Sequence, residues 1–263
     1  MSTLLSVKNL SVRIRSRDII KNISFAMDTG ECIALVGESG SGKSMTAHAL
    51  LHLLPDDTSV SVEGTVLFSG ANILEMTKSE LRSFRGKEIA IIFQQAQSAL
   101  NPLMRVGTQI LESVLTQNNF SKQKGKEIVL ELLEFVGFPQ PVETYNSYPH
   151  VLSGGMRQRI MIAIALACNP KLLIADEPTT ALDVTTQAEI MKLIQKIRTE
   201  KNMSVLLITH DLALVSGFAE KIYVMKDGEI VDRGTTDYIF YESDNSYTRM
   251  LLAQKERWSC NVR

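Results

Sequence analysis

The chain has 263 residues, 44 % of them hydrophobic and 22 % charged, which suits a soluble globular protein of one large or two small domains with a sizeable core. Its formal net charge of −1 excludes a protein that holds nucleic acid by charge alone, which would be basic. The longest apolar run, Ile160 to Cys168, is too short for a bilayer span of about 20 residues.

Met1 to Leu10 mixes polar and apolar residues, so no apolar signal segment is expected there. Leu10, Val12 and Ile14 alternate with Ser11, Arg13 and Arg15, which predicts a half-buried strand. A second strand is predicted near Ile23 to Met27, ending at Thr29-Gly30. Cys32 to Val36 is an apolar run that reads as a buried strand, and Met45 to Leu54 reads as a helix stopped by Pro55. Residues 60 to 68 read as a strand pair about Glu63-Gly64. Ile89 to Phe93 is a further short apolar run ending at Gln94. From about Ala96 to Cys168 the pattern becomes helical. Ile128, Leu132, Leu133 and Val136 share one face there, with Gly137 and Pro139 as stop signals.

Lys171 to Ala175 is the next predicted buried strand, followed by an amphipathic helix over Thr185 to Arg198. Val205 to Thr209 is another strand, with His210-Asp211 at its end, and Ile222 to Val231 is a hairpin turning at Asp227-Gly228. Strands alternating with helices predict an α/β fold with a mainly parallel sheet. The strand-rich N-terminal part adds an antiparallel edge. The expected organisation is a single domain: an α/β core over 1–94 and 169–263, with a helical subdomain inserted at 95–168. Cys32, Cys168 and Cys260 are widely spaced and odd in number. They form no disulfide or metal pattern, so a reducing cytoplasm is expected.

The chemistry-bearing stretches sit at the ends of predicted strands. Gly37-Glu38-Ser39-Gly40-Ser41-Gly42-Lys43-Ser44 fits the P-loop pattern G-x-x-x-x-G-K-[ST] at every fixed position, between a strand and a helix. Its glycines let backbone N–H groups turn in around phosphates, and the helix N-terminus adds about half a positive charge. Lys43 is placed to reach β- and γ-phosphates, and the Ser44 hydroxyl to ligate Mg²⁺. A turn that binds nothing needs neither the lysine nor the serine.

Asp176 and Glu177 follow a predicted buried strand, the end at which ligands bind in open α/β sheets. Asp176 is placed to hold Mg²⁺ through water, and Glu177 to orient or deprotonate an attacking water. Gln94 ends another strand, and a neutral amide there can ligate the metal or position water. His210 ends a third strand, where a neutral imidazole can donate to a γ-phosphate. Ser153, Gly154 and Gly155 precede a helix and form a second phosphate-binding N-terminus. The P-loop already serves one nucleotide, so this second clamp implies a nucleotide held by another subunit.

Taken in order, the P-loop, Gln94, Leu152 to Gln158, Asp176-Glu177, Ala181-Leu182-Asp183 and His210 resemble the motifs of an ATP-binding-cassette (ABC) ATPase subunit over nearly the whole chain. The stretches Ser98-Ala99-Leu100-Asn101-Pro102-Leu103, Tyr148-Pro149-His150, Ile174 to Asp183 and Tyr247-Thr248 are similar to the peptide/nickel importer subgroup. The resemblance implies that Asp183 contributes to a nucleotide sandwich between two ATPase subunits, each P-loop facing the partner's Ser153–Gly155 equivalent. The second subunit is expected to be a paralogue, or a copy of this chain. It also implies ATP and Mg²⁺ as cofactors, two membrane permease subunits, an extracytoplasmic solute-binding protein acting indirectly, a peripheral place on the cytoplasmic face of the membrane and no nucleic-acid partner.

Three departures stand out. Gln95-Ala96 replaces the Asp-Pro usual in the family. Ile14 occupies the place of its adenine-stacking aromatic. Cys260 alone stands where oligopeptide members often carry a longer cysteine-bearing extension, which tilts the expected solute towards nickel or a metal chelate. Two other readings compete. One is a soluble ABC ATPase driving a protein or nucleic-acid machine, disfavoured by Ser98 to Leu103. The other is a regulator with little turnover, disfavoured by Glu177 and His210.

Overall fold

The computed structural model describes residues 2–55, 57–94, 99–117 and 120–260, with the side chains of all of these except 117 and 254–260. Gln95, Ala96, Ser98 and the Cys260 side chain, singled out above, lie outside what is described. In chain order the strands are β1 (Thr3–Ile14), β2 (Arg17–Asp28), β3 (Cys32–Val36), β4 (Val60–Phe68), β5 (Ala71–Asn72), β6 (Ile89–Ile92), β7 (Leu172–Asp176), β8 (Ser204–Thr209), β9 (Lys221–Lys226) and β10 (Glu229–Thr235). The helices are α1 (Lys43–Leu50), α2 (Lys78–Phe84), α3 (Val106–Gln117), α4 (Lys122–Phe135), α5 (Pro141–Asn146), α6 (Gly154–Leu166), α7 (Val184–Lys201), α8 (Leu212–Val215) and α9 (Ser246–Cys260). Among the described residues, no helix is long and apolar enough to cross a membrane.

The chain divides into two compact units, Met1–Leu81 with Ser204–Arg263, and Arg82–Met203. In the first, β3 pairs in parallel with β8 on one side and β9 on the other, and β10 continues antiparallel from β9. Parallel neighbours on both sides leave β3 no solvated edge, which is why Cys32 to Val36 is apolar throughout and fully buried. Beside it, β1 pairs antiparallel with both β2 and β4 in a sheet of order β2-β1-β4-β5. The expected strand pair over 60–68 is instead one strand. Gly64, at φ +112°, lies within β4 beside a register break against Lys8 and Ser11, and a Cβ there would come 2.6 Å from the Asn9 carbonyl. A glycine that admits a bulge carries the same local signal as a glycine that makes a turn.

In the second unit β6 and β7 run parallel, with Ile89 opposite Leu172 and Ile92 opposite Ala175. The helices α3 to α6 follow β6, and α7 follows β7. The helix α6 buries Ile160, Met161, Ile162 and Ala163 in succession, so it is a core helix rather than a one-sided one. The helical stretch expected at 95–168 therefore shares its unit with β6, β7 and α7.

Candidate functional site

In the first unit the candidate site is the loop joining β3 to α1. Two of its glycines are required by what lies behind them. A Cβ on Gly37 would strike the Met225 carbonyl of β9. Gly42 caps α1 in left-handed backbone at φ +105°, and a Cβ there would lie 2.7 Å from the Met225 methyl and 3.1 Å from the Ile19 carbonyl. The β9–β10 turn also grips the loop directly, because the Gly228 N–H donates to the Ser41 carbonyl at 3.0 Å.

Lys43 is 4 % exposed. Its ammonium donates to the Gly37 carbonyl at 2.9 Å, the Glu38 carbonyl at 2.8 Å and the Ser41 hydroxyl at 3.4 Å. A Cβ on Gly40 would meet nothing. A buried ammonium on a glycine loop with open space beside it fits a phosphate chain. Ser39 is exposed, and Ser44 follows Lys43 in the first turn of α1.

Two other predicted residues of this unit sit at strand ends. Ile14 is the last residue of β1, half-buried, opposite Arg17 and Val60. His210 is exposed immediately after β8. The turn beyond His210 is braced by Asp211, whose carboxylate accepts the Ala213 N–H at 2.7 Å.

In the second unit Asp176 is the last residue of β7 and 2 % exposed, and Glu177 after it is 9 % exposed. Glu177 adopts left-handed backbone at φ 46°, a conformation that a residue with a Cβ holds only under constraint. The constraint is visible. Gln94 and Thr180 both donate to the Glu177 Oε2, each at 2.7 Å. Gln94 comes within reach because Ile92 and Ala175 are paired across β6 and β7, so both chains leave their strands at one level. The loop from Glu177 to Asp183 is held from the α7 side by Gln187, which donates to the Thr179 and Leu182 carbonyls at 3.3 and 3.2 Å.

The start of α6 and the start of α7 meet in the same unit. Ser153 is the N-cap of α6, its hydroxyl accepting the Met156 N–H at 3.3 Å. Gly154 opens the helix. A Cβ on Gly155 would come 2.5 Å from the Thr186 Cγ2, so this glycine is required by close packing on α7. Thr186 in turn binds Asp183, donating to its carboxylate from the hydroxyl at 2.6 Å and from the backbone at 3.0 Å. Asp183 is thus the N-cap of α7, and the Thr186 hydroxyl and N–H hold its carboxyl below the usual range. Arg157 ties the preceding segment to α6 through the Pro149 and Leu152 carbonyls, at 2.9 and 3.1 Å.

Within units, the structure therefore brings together Gln94 with Glu177, and Gly155 with Asp183 through Thr186. Among the described residues no group of three or more His, Cys, Asp or Glu side chains is placed to hold a metal. Within the second unit, the side-chain oxygens of Asp176 and Gln94 are of the hard kind that Mg²⁺ takes, one or two carboxylates beside phosphate oxygens and water. Thr180, Thr186, Gln187 and Met225 position these residues, and sequence reasoning did not single them out. Their roles depend on packed partners rather than on motif spacing.

A family model described as ABC transporter matches residues 20–180. The oligopeptide transport ATP-binding protein OppD of Bacillus subtilis is 46 % identical over 96 % of this chain and 72 % of its own length. The dipeptide transport ATP-binding protein DppD of Lactococcus lactis is 47 % identical over 95 % of this chain and 72 % of its own length. Among solved structures, the dimeric ATP-binding cassette MJ0796, in a post-hydrolysis state bound to ADP and Pi, superposes with a TM-score of 0.77 at 30 % identity, covering 89 % of this chain and 99 % of that one.

Proposed function

The chain belongs to the ABC transporter family and hydrolyses ATP, and on that premise we propose that it powers the uptake of peptides through a membrane complex. The observation that carries the substrate class is the peptide-transport function named for both relatives, each matched over nearly all of this chain. Neither name speaks for nickel, so the tilt drawn from Cys260 is set aside in favour of peptides.

In this reading Gly37 to Ser44 hold the triphosphate, with Lys43 as the cation on its terminal groups. Ser44, Gln94 and Asp176 are the oxygen donors offered to Mg²⁺, which when bound supplies charge neutralisation on the phosphates. Glu177 orients or deprotonates the attacking water, and His210 donates to the γ-phosphate. Ser153, Gly154, Gly155 and Asp183 serve a nucleotide on a second ATPase subunit, a paralogue or another copy. The complex includes two permease subunits and is fed by an extracytoplasmic binding protein, with this chain peripheral on the cytoplasmic face.

The test is uptake in a strain deleted for this chain. Accumulation of labelled di- and tripeptides should fall to background, and complementation by the wild type but not by Glu177→Gln should restore it. Loss of nickel uptake with peptide uptake intact would overturn the substrate. Intact uptake of both would overturn the transport role.

A further inference from the structure

Tyr247, in the first turn of α9, reaches back to the loop that precedes α1. Its hydroxyl accepts the Glu38 N–H at 3.2 Å, across 209 residues of sequence. The same residue of the loop is held from its other end, because the Glu38 carbonyl accepts from the Lys43 ammonium at 2.8 Å and from the Ser41 N–H at 3.2 Å. Glu38 is thus bracketed by a tyrosine on its N–H and a lysine on its carbonyl. We propose that Tyr247 is a positioning residue for nucleotide binding, fixing the Glu38 peptide so that the loop stays shaped for phosphate when Lys43 turns to its ligand. The inference rests on the nucleotide reading of this loop and names a control element for it.

The tyrosine is itself fixed. It is 7 % exposed, and the Lys226 ammonium stands 4.8 Å from its ring centroid, a cation–π contact that holds the ring face. Asn245 caps the turn that carries it, accepting the Tyr247 and Thr248 N–H groups at 2.9 and 3.2 Å while donating to the Val231 carbonyl at 2.9 Å. Thr248 donates to the Asp232 carboxylate at 2.6 Å, and Ser243 donates to the same oxygen. The base of α9 is therefore pinned to β10, and the phenol projects from a rigid mount. Burial, with the negative charges of Glu38 and Asp227, pushes that phenol up from its ordinary value, so it keeps its proton at neutral pH.

Lys43 must exchange two carbonyls of its own loop for phosphate oxygens when nucleotide arrives. At that moment the loop loses the ties that Lys43 makes to Gly37 and Glu38. The bond from Tyr247 does not involve the lysine and survives the exchange. It also consumes one loop N–H, and so decides which N–H groups remain turned towards the ligand.

The experiment is MgATP binding and steady-state hydrolysis by the full chain and by Tyr247→Phe, which keeps the ring and its contact with Lys226. The phenylalanine variant should raise both the Kd and the KM for MgATP by about threefold to tenfold, the range of one neutral hydrogen bond. Its kcat at saturating ATP should stay within about twofold. An unchanged KM, or a fall in kcat with KM unchanged, overturns the proposal. Lys226→Met should weaken binding less than Tyr247→Phe, and the reverse order would mean that ring packing rather than the hydroxyl matters. Hydrogen exchange on the unmodified chain gives an independent reading. The Glu38 amide should be protected with or without nucleotide, and protection only in its presence overturns the proposal. If the wild type fails to bind MgATP, the nucleotide reading of the loop fails. If it binds and Tyr247→Phe binds equally well, only the tyrosine's role fails.

Discussion

Gln94 donates its side-chain amide to the carboxylate of Glu177 across 2.7 Å, linking the segment after β6 to the residue after β7. Thr180 donates to the same carboxylate oxygen. The proposed base is therefore aimed by two neutral donors, one from the segment after a neighbouring strand and one from its own turn. Removing the carboxylate and removing an aiming group should give distinguishable results.

Glu177→Gln should lower kcat by roughly 10²- to 10⁴-fold, the usual share of a general base, while MgATP binding persists. Thr180→Val keeps the shape and deletes one hydrogen bond to a charged group, so kcat should fall by about tenfold with KM little changed. Phosphate release with parallel nucleotide titration reads both. If Glu177→Gln turns over at the wild-type rate, the base is elsewhere. If Thr180→Val matches the wild type, Glu177 does not need that donor.

Gly155 should tolerate alanine poorly for a reason unrelated to any ligand. A Cβ at that position meets the Thr186 methyl at 2.5 Å, and overpacking of this kind costs about 1–3 kcal/mol. Thr186→Ser removes the methyl and keeps the hydroxyl that binds Asp183. Chemical denaturation of Gly155→Ala, Thr186→Ser and the double variant forms a cycle, and the double should recover most of the loss. A double variant as unstable as Gly155→Ala would show that the clash lies with something other than Thr186.

The cap at Asp183 should leave a signature in acid. Its carboxyl is held below the ordinary value by the Thr186 hydroxyl and N–H. A lowered carboxyl stabilises the fold fully above the unfolded value of about 3.9 and loses that stabilisation as pH falls through the folded one. The gap in melting temperature between wild type and Asp183→Ala should be constant from pH 7 to about 5 and narrow towards pH 2. A gap that widens as the pH falls would assign the stabilisation to another group.

Ile14 ends β1 half-buried rather than packed away, which leaves it able to cover a base without a π-surface. Base stacking on an aromatic ring is worth about 1–3 kcal/mol in nucleic-acid binders. GTP should therefore compete with ATP within about tenfold, and Ile14→Tyr should tighten ATP. Competition titration of both proteins checks this. A tyrosine variant that loses stability and gains no affinity would make Ile14 a packing residue of its strand.

Contiguous chemistry was legible and distant chemistry was not. Cys32 to Val36 declared a buried strand by composition, whereas Asp183 was singled out only through its motif. Asp183, however, meets Thr186 as a helix cap, and Gly155 is small because of that same threonine. Spacing along the chain reports that a residue recurs in a motif, not which neighbour makes it necessary. Gly64 was misleading for a related reason, since positive φ serves a bulge as well as a turn. Tyr247 and Glu38, 209 residues apart, are joined only by folding.

The left-handed backbone at Glu177 also bears on how this site can drift under mutation. Glycine or asparagine would occupy that conformation with less strain, by about 1 kcal/mol or more. A screen that rewards thermal tolerance alone should enrich those substitutions and deliver better-folded proteins that no longer turn over. With Glu177 as the proposed base, selection for ATP turnover opposes that pull in every generation, so the residue is a point where durability and output trade against each other.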